Sequence, residues 1–437
     1  MNKFLDEYTN QIFHSIYNKD SNGLISFLEN DKQFETNFKN ITSYEQLTKP
    51  VSNLLNSKFN YNQPNSEINS SLKIKKFLSD FLTYFLLYKN SINKKEYIQS
   101  FENMKNSFSN FTEFYLLYDE SSLSPLLKYF IRILYNTAEK CDESIKITTN
   151  ELKYTSDFGR LIISFFSKFS NIDDNTKYSV LFSVVCLMKT YFKLKTYRNS
   201  TTLVQWYIKK QFDKDEDNIP SSELCTFSFY QGRLALYELN LIEAQNILTK
   251  AFDICLQNID KSNSCFNNAK LIFEYLIPLN IFFGLLPSEN EIKKFKLDSK
   301  YIILVNSIRN GDVKKFDEVL EDLEDRFIDL GTFLIIGKFR PYVFRNLIKI
   351  IYDFIYDGTG GQIIMEIDLI HSILKNIYSF DIDKEELEIN ILGVLYRSLI
   401  GGYVHYKNKV IVFGKNNPFP NLKENFNKNY YKIIYIL

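Results

Sequence analysis

Leu399-Ile400-Gly401-Gly402-Tyr403-Val404-His405-Tyr406-Lys407-Asn408-Lys409-Val410-Ile411-Val412 decides how this chain is read. The paired glycines stop the segment before them. After them the apolar period changes from about 3.6 to 2. Val404 and Tyr406 alternate with polar neighbours, Lys407-Asn408-Lys409 turns, and Val410 and Val412 alternate back, the pattern of a short hairpin. Three amphipathic segments lie upstream. The first, from Pro341, carries Phe344, Leu347, Ile348, Ile351 and Ile355 at the spacing of one helix face, with the proline in the first turn. The second carries Ile363, Ile367, Ile370 and Leu374. The third opens with Asp383 and Glu386, a capping-box-like pair, and places Leu387, Ile391, Leu395 and Leu399 on one face up to Gly401-Gly402. Helix, helix, helix, hairpin is the order of a winged helix. The stretch runs from Gly331 to Asn417-Pro418-Phe419-Pro420, and so small a unit needs the helices before it to complete its core.

Those preceding helices read as pairs. Phe4, Leu5, Tyr8, Ile12 and Ile16 line one face, Ser21-Asn22-Gly23 breaks it, and Leu24, Phe27 and Leu28 begin another piece. From Thr48 to Ser71 the chain is rich in Asn, Ser and Pro and reads as a linker. Helical spacing resumes with Phe77, Phe81, Tyr84, Phe85 and Tyr88, and continues over 109–137 with a turn at Ser124-Pro125. Asp142 to Asn150 reads as a connection. Phe158, Leu161, Ile162, Phe165 and Phe166 form one stripe and Val180 to Phe192 another. Phe227, Tyr230, Leu234 and Tyr237 precede a tight turn at Leu239-Asn240, and Ala244, Ile247, Leu248, Ala251 and Phe252 follow it. Gly232, Ala235, Ala244 and Ala251 are small residues that let two antiparallel helices approach closely. Pro278 lies inside a further apolar helix, ended by Gly284 and Pro287, and predicts a kink. Tyr301 to Ile308 and Val313 to Leu323 make a last hairpin around Asn310-Gly311-Asp312. The expected fold is mainly α: an irregular superhelix of stacked, tetratricopeptide-like α-hairpins ending in a winged helix with a small β-hairpin. The expected domains are an N-terminal helical segment over 1–150 with the linker near 48–71, a helical-repeat region over 151–337, the winged helix over 338–415 and a basic tail over 416–437.

Composition narrows the chemistry. The net charge of +1 over 437 residues points to no partner for the molecule as a whole, so only local patches matter. Cys141, Cys186, Cys225, Cys255 and Cys265 form no CxxC pair, and the N-terminus has no secretory pattern, which predicts a reducing compartment and no disulfides. No apolar run is long enough for a membrane span. The three histidines, His14, His371 and His405, fall in three different segments, which disfavours a triad. No metal motif occurs, and no cofactor is expected. The cluster Asp357-Gly358-Thr359-Gly360-Gly361 lacks the Gly-Lys-Ser/Thr ending of a phosphate loop and reads as an inter-helix turn. The acidic run Asp381, Asp383, Glu385, Glu386 and Glu388 suits a helix start without any catalysis. A non-enzyme without a small-molecule substrate is expected.

From Arg397 to Leu437 there are seven cations, Arg397, Lys407, Lys409, Lys415, Lys423, Lys428 and Lys432, against the single acid Glu424. Lys338, Arg340, Arg345 and Lys349 add charge at the module's entry. Such a wing suits phosphate neutralisation, whereas the carboxylates heading the third helix oppose base reading, so contact would be sequence-tolerant. A solvated basic face is the simpler alternative.

Certain words in the second half carry a resemblance. They are Phe229-Tyr230-Gln231-Gly232-Arg233, Tyr275-Leu276-Ile277-Pro278, Gly284 with Leu286-Pro287, Gly311-Asp312 with Phe316, Arg345-Asn346-Leu347, Asp381-Ile382-Asp383, Gly402-Tyr403-Val404 and Asn417-Pro418-Phe419-Pro420. In that order, across roughly 225–422, the chain resembles the PCI domain-containing protein 2 family, subunits of the nuclear transcription-export complex 2 in mRNA export. The resemblance implies a non-enzymatic scaffold in the nucleus at the nuclear pore. The cytoplasm is a second expected location. The resemblance implies a large PCI-containing partner of the germinal-centre-associated nuclear protein type and the small acidic peptide shared with the proteasome lid. The family's winged helices form a nucleic-acid surface, which carried onto this chain points to Arg345, Lys407, Lys409 and Lys415. The acidic peptide would suit Lys293, Lys294, Lys296 and Lys300. The alternative is a structural PCI subunit of a proteasome-lid or signalosome-type assembly without nucleic-acid binding.

Overall fold

Successive amphipathic helices that each bury one stripe can only be satisfied by stacking, and this is what the computed structural model shows. It describes residues 12, 15, 20–29, 47, 51, 65–118, 123–145, 152–170, 177–355, 363–415 and 417–421. Several sequence expectations lie outside these residues: most of the first helix face, the linker over 52–64, the glycine cluster at 357–361, and the tail with Lys423, Lys428 and Lys432. The chain divides into two units, residues 1–230 and 231–437, with the boundary inside one helix.

The first unit contains α1 (Ser21–Glu29), α2 (Asn65–Asn93), α3 (Tyr97–Tyr118), α4 (Ser124–Ile145), α5 (Lys153–Phe169), α6 (Lys177–Lys193), α7 (Asn199–Lys209) and the start of α8 (Ser221–Tyr237). Consecutive members from α2 to α7 pack on one another. The abundant phenylalanines make the core. Phe81, Phe85, Phe111 and Phe130 are buried together, with Phe111 and Phe130 edge to face at 4.8 Å. The break expected at Ser21-Asn22-Gly23 is the start of α1, where the Asp20 carboxylate accepts from the Gly23 N–H at 2.8 Å. Two expectations are corrected. α2 begins at Asn65, so the end of the Asn-rich stretch is helical. The polar segment from Asp142 is also partly helical, because α4 runs to Ile145. There the buried Asp142 carboxylate receives the N–H groups of Tyr154 and Thr155, each at 2.8 Å, capping α5 from a neighbouring helix.

The second unit holds the rest of α8, then α9 (Leu241–Gln257), α10 (Asn263–Phe282), α11 (Glu289–Lys294), α12 (Ser299–Asn310), α13 (Val313–Asp322), α14 (Glu324–Leu330), α15 (Phe333–Ile336) and α16 (Arg340–Ile355). A Cβ at Gly232 would lie 2.6 Å from Leu248 Cγ, which explains the small residue where α8 meets α9. α10 continues across Pro278 and is buried along most of its second half. Inside it, the Glu274 carboxylate accepts from Arg326 and from the Tyr301 hydroxyl.

The C-terminal module follows α16 with β1 (Ile364–Glu366), α17 (Ile367–Asn376), α18 (Lys384–Tyr396), β2 (Gly402–His405) and β3 (Val410–Phe413). The strands form an antiparallel sheet of order β1-β3-β2. The hairpin is the expected one, but β1 stands where the sequence predicts the start of a helix: Ile363 precedes α17, and Met365 pairs with Ile411. A three-residue strand is too short for period 2 to stand out from an adjoining helix. The third helix also stops earlier than Gly401. It ends at Tyr396, where left-handed Ser398 (φ 55°) lets the Leu399 N–H return to the Val394 carbonyl at 3.1 Å. The capping box at Asp383 does not form: Asp383 is the N-cap residue without a side-chain bond, and Glu386 pairs with Arg340 at 3.1 Å. A capping box occurs instead at Ser288 and Glu291, heading α11.

Candidate partner and nucleic-acid interface

The winged helix is fixed to the helices before it by a close backbone approach. Gly311, between α12 and α13, has φ +67°, and a Cβ there would lie 2.5 Å from the Leu347 backbone of α16. Asn346 donates to the Ile308 carbonyl at 2.8 Å, and the Tyr378 hydroxyl donates to the Asn310 carbonyl at 3.0 Å. These bonds satisfy carbonyls that the end of α12 leaves without helical donors.

Arg345 does not face outward. It is 7% exposed, and its guanidinium donates to the carbonyls of Leu399 at 3.2 Å and Pro420 at 3.1 Å while lying over the Phe419 ring at 5.8 Å. Phe419 packs in turn on Tyr352 and Phe413. Burial draws the Arg345 pKa below the ordinary guanidinium value. With its donors turned inward, Arg345 is a clamp for the Asn-Pro-Phe-Pro segment, which corrects its assignment to a phosphate surface. The Pro418 carbonyl also accepts from Gly401 N–H at 2.7 Å, so the segment closes over the hairpin's base.

The wing lysines divide. Lys407 lies in an exposed 3-10 turn at the tip, and Lys415 is exposed just after β3. Lys409 is exposed too, but its ammonium reaches both Glu388 oxygens, at 2.5 and 2.7 Å, and lies 4.7 Å from the Tyr406 ring. The hydrogen bond to Glu388 raises its pKa. The acidic head of α18 is likewise engaged locally: Glu386 with Arg340, Glu388 with Lys409, and Asp381 with Lys375 at 3.7 Å. Among the described residues, two open cations therefore remain at the wing, Lys407 and Lys415. Among the four lysines near α11, Lys293 pairs with Glu289 at 3.2 Å and Lys300 with Asp322 at 3.1 Å, while Lys294 and Lys296 are exposed beside Phe295 and Phe266.

One feature of the site escaped sequence reading. α18 buries Leu387, Ile391 and Val394 and exposes a second apolar stripe on its opposite side, Ile389 at 68%, Leu392 at 51% and Tyr396 at 71%. The two stripes were detectable as a helix apolar all round, a pattern that asks for cover on both sides. Beside it, register places Ile364, Val412 and Tyr403 in one row across the outer sheet face, with Ile364 and Tyr403 exposed. Among the described residues no group of His, Cys, Asp and Glu is arranged to hold a metal ion, and no helix is long and apolar enough to cross a membrane.

No family model matches the chain. Similar curated proteins do. The PCI domain-containing protein 2 homolog of Dictyostelium discoideum is 26% identical over 362 residues, 81% of each chain. PCI domain-containing protein 2 of Danio rerio is 28% identical over 253 residues, 58% of this chain and 60% of its own. Homologues at 26–28% identity covering much of the chain support the PCI domain-containing protein 2 family. Enhanced ethylene response protein 5 of Arabidopsis thaliana is 27% identical over 296 residues, 67% of this chain and 68% of that one. Two of the segments that carry this similarity have physical roles: Gly311 seats α12 and α13 on α16, and Arg345 holds Phe419 and Pro420.

Proposed function

We propose that this chain is a non-enzymatic scaffold subunit of a nuclear mRNA-export complex of the transcription-export complex 2 type. It is a PCI-type scaffold subunit, built to hold protein partners. One observation carries the reading: the Ile389-Leu392-Tyr396 stripe lies on the helix that groove-reading winged helices insert into DNA. An apolar face headed by carboxylates suits a protein surface and repels a phosphate backbone. The partner is the PCI module of a large export scaffold. Lys407 and Lys415 give the wing a weak, sequence-tolerant nucleic-acid contact, and Lys294 and Lys296 are the open contacts for a small acidic peptide. Purification of tagged chain with I389D and Y396D tests the first point. Loss of the large scaffold from a folded variant is the expected result, and undiminished recovery would overturn the reading. For the wing, K407E with K415E is expected to lower the salt slope of RNA binding by about 1.4, two single-strand phosphate contacts.

The edges of the three-stranded sheet favour a second reading. β1 and β2 each have one side without a partner strand among the described residues, which suits edge-to-edge assembly in a proteasome-lid or signalosome-type complex. A relative is named Protein CSN12 homolog, from Neurospora crassa, 25% identical over 262 residues, 57% of this chain and 56% of its own. Recovery of lid-type subunits without the export scaffold would select this alternative.

A further inference from the structure

The first unit carries a ladder of cations that none of these roles uses. α4 and α6 lie side by side. Lys128 and Arg132 of α4 stand over the Phe182 ring of α6, at 5.8 and 5.9 Å. One to two turns further on, Lys189 and Lys193 of α6 stand over the Tyr135 ring of α4, at 4.2 and 5.8 Å. Contacts rise together along both helices, so the two run parallel, and 128 is level with 182 as 139 is with 193. At 1.5 Å per residue the four cations climb about 16 Å, roughly one per turn. Each helix supplies half of the ladder and an aromatic seat for the other half.

Two carboxylates flank it. Glu223 of α8 pairs with Lys128, and Glu139 pairs with Lys193 at 2.6 Å. Both therefore sit at the ladder's ends. The middle cations, Arg132 and Lys189, are exposed, and neither is ion-paired among the described residues. Rings beneath them restrict their motion, which lowers the entropy lost when they meet an anion. No large apolar side chain of α4 or α6 is exposed, so the strip offers no anchor pocket of the sort a peptide requires. Tyr135 and Phe182 each carry two cations over the ring. What remains is a pair of unbridged cations, Arg132 and Lys189, about one turn apart, each within electrostatic reach of a flanking carboxylate, Glu223 and Glu139.

We propose that this strip between α4 and α6 binds the backbone of single-stranded RNA, with Arg132 and Lys189 each taking one phosphate. The contact is independent of the winged helix and of the export assignment, since every residue in it lies in the first unit. A two-contact loss lowers the salt slope by about 1.4, which amounts to about 25-fold in affinity at 0.1 M salt.

The test is fluorescence anisotropy of labelled oligouridylate with the full chain, titrated over a salt series. R132Q with K189Q is expected to show that loss and that slope, in the wild-type wing and in K407E with K415E alike. R132K with K189R, which keeps both charges, is expected to bind as wild type. Unchanged affinity and slope in the glutamine variant, with thermal melting confirming its fold, would overturn the proposal. So would loss of binding in the charge-keeping variant. Loss of polyglutamate binding with RNA binding intact would also overturn it, and would assign the strip to an acidic peptide. Failure of the export-scaffold reading is scored separately, by co-purification.

Discussion

Replacing Gly311 with Ala tests whether the winged helix is seated on the preceding hairpin as described. At φ +67° an alanine pays about 1–2 kcal/mol for the left-handed conformation alone. Its Cβ would also lie 2.5 Å from both N and Cα of Leu347, and backbone atoms of a packed helix have no rotamer to escape into. The hairpin of α12 and α13 must then back away from α16. That motion strains the bonds from Asn346 to the Ile308 carbonyl and from Tyr378 to the Asn310 carbonyl, each worth about 1 kcal/mol. The expected loss is about 3–4 kcal/mol, a large part of a domain's stability. Gly331 supplies the control. It has φ +73°, but nothing lies within 4 Å of an added Cβ, so G331A should lose about 1–2 kcal/mol only. Urea unfolding followed by far-UV circular dichroism gives both values by linear extrapolation. If the two variants differ by less than about 1 kcal/mol, the close approach to Leu347 is not holding the module.

Arg345→Ala should destabilise by about 3 kcal/mol, because the Leu399 and Pro420 carbonyls lose their donor in a buried site. Arg345→Lys should restore little of this in thermal melts, since one ammonium cannot reproduce the guanidinium fork. Burial pushes the Cys141 and Cys186 thiols up to about 12, so at pH 8 only about 10⁻⁴ of either is thiolate. Mass spectrometry after brief iodoacetamide treatment should find buried Cys141 unmodified while half-exposed Cys265 is alkylated. Burial raises the pKa of Glu139, but the hydrogen bond from Lys193 and the positive charges of Lys193 and Lys189 outweigh it and hold the carboxyl below its ordinary value. Its stabilisation is therefore present above that ordinary value and lost as pH falls through the lowered one. Glu139→Gln should melt lower at pH 7 and show a shallower acid limb in a pH series of melting temperatures.

Long periodic segments were legible in the sequence because burial of a helix face leaves a mark every three or four residues. The helices of 72–93, 299–323 and 340–355 are of this kind, and the hairpin after Gly402 shows instead through its two-residue alternation. Arg345 was misread because sequence shows charge and not direction: its acceptors come from Leu399 and Pro420, far along the chain. Lys409 lost its expected openness to Glu388, a pairing set by how α18 lies against the hairpin. β1 is recognisable only through its partner, since Ile364, Met365 and Glu366 alone fit helix as well as strand. The exposed face of α18 was written in Ile389, Leu392 and Tyr396. Its residues share α18 with the core stripe of Leu387, Ile391 and Val394, so apolar spacing alone does not separate the two faces.

The clamp at Arg345 bears on how the chain is made. Arg345 leaves the ribosome 75 residues ahead of Pro420. Until Pro420 emerges, a guanidinium destined for the interior lacks one of its two backbone acceptors and the aromatic ring that shields it. Vectorial folding of the last module is thereby held back, and nascent chains halted just past β3 should stay protease-sensitive although all three strands have been translated.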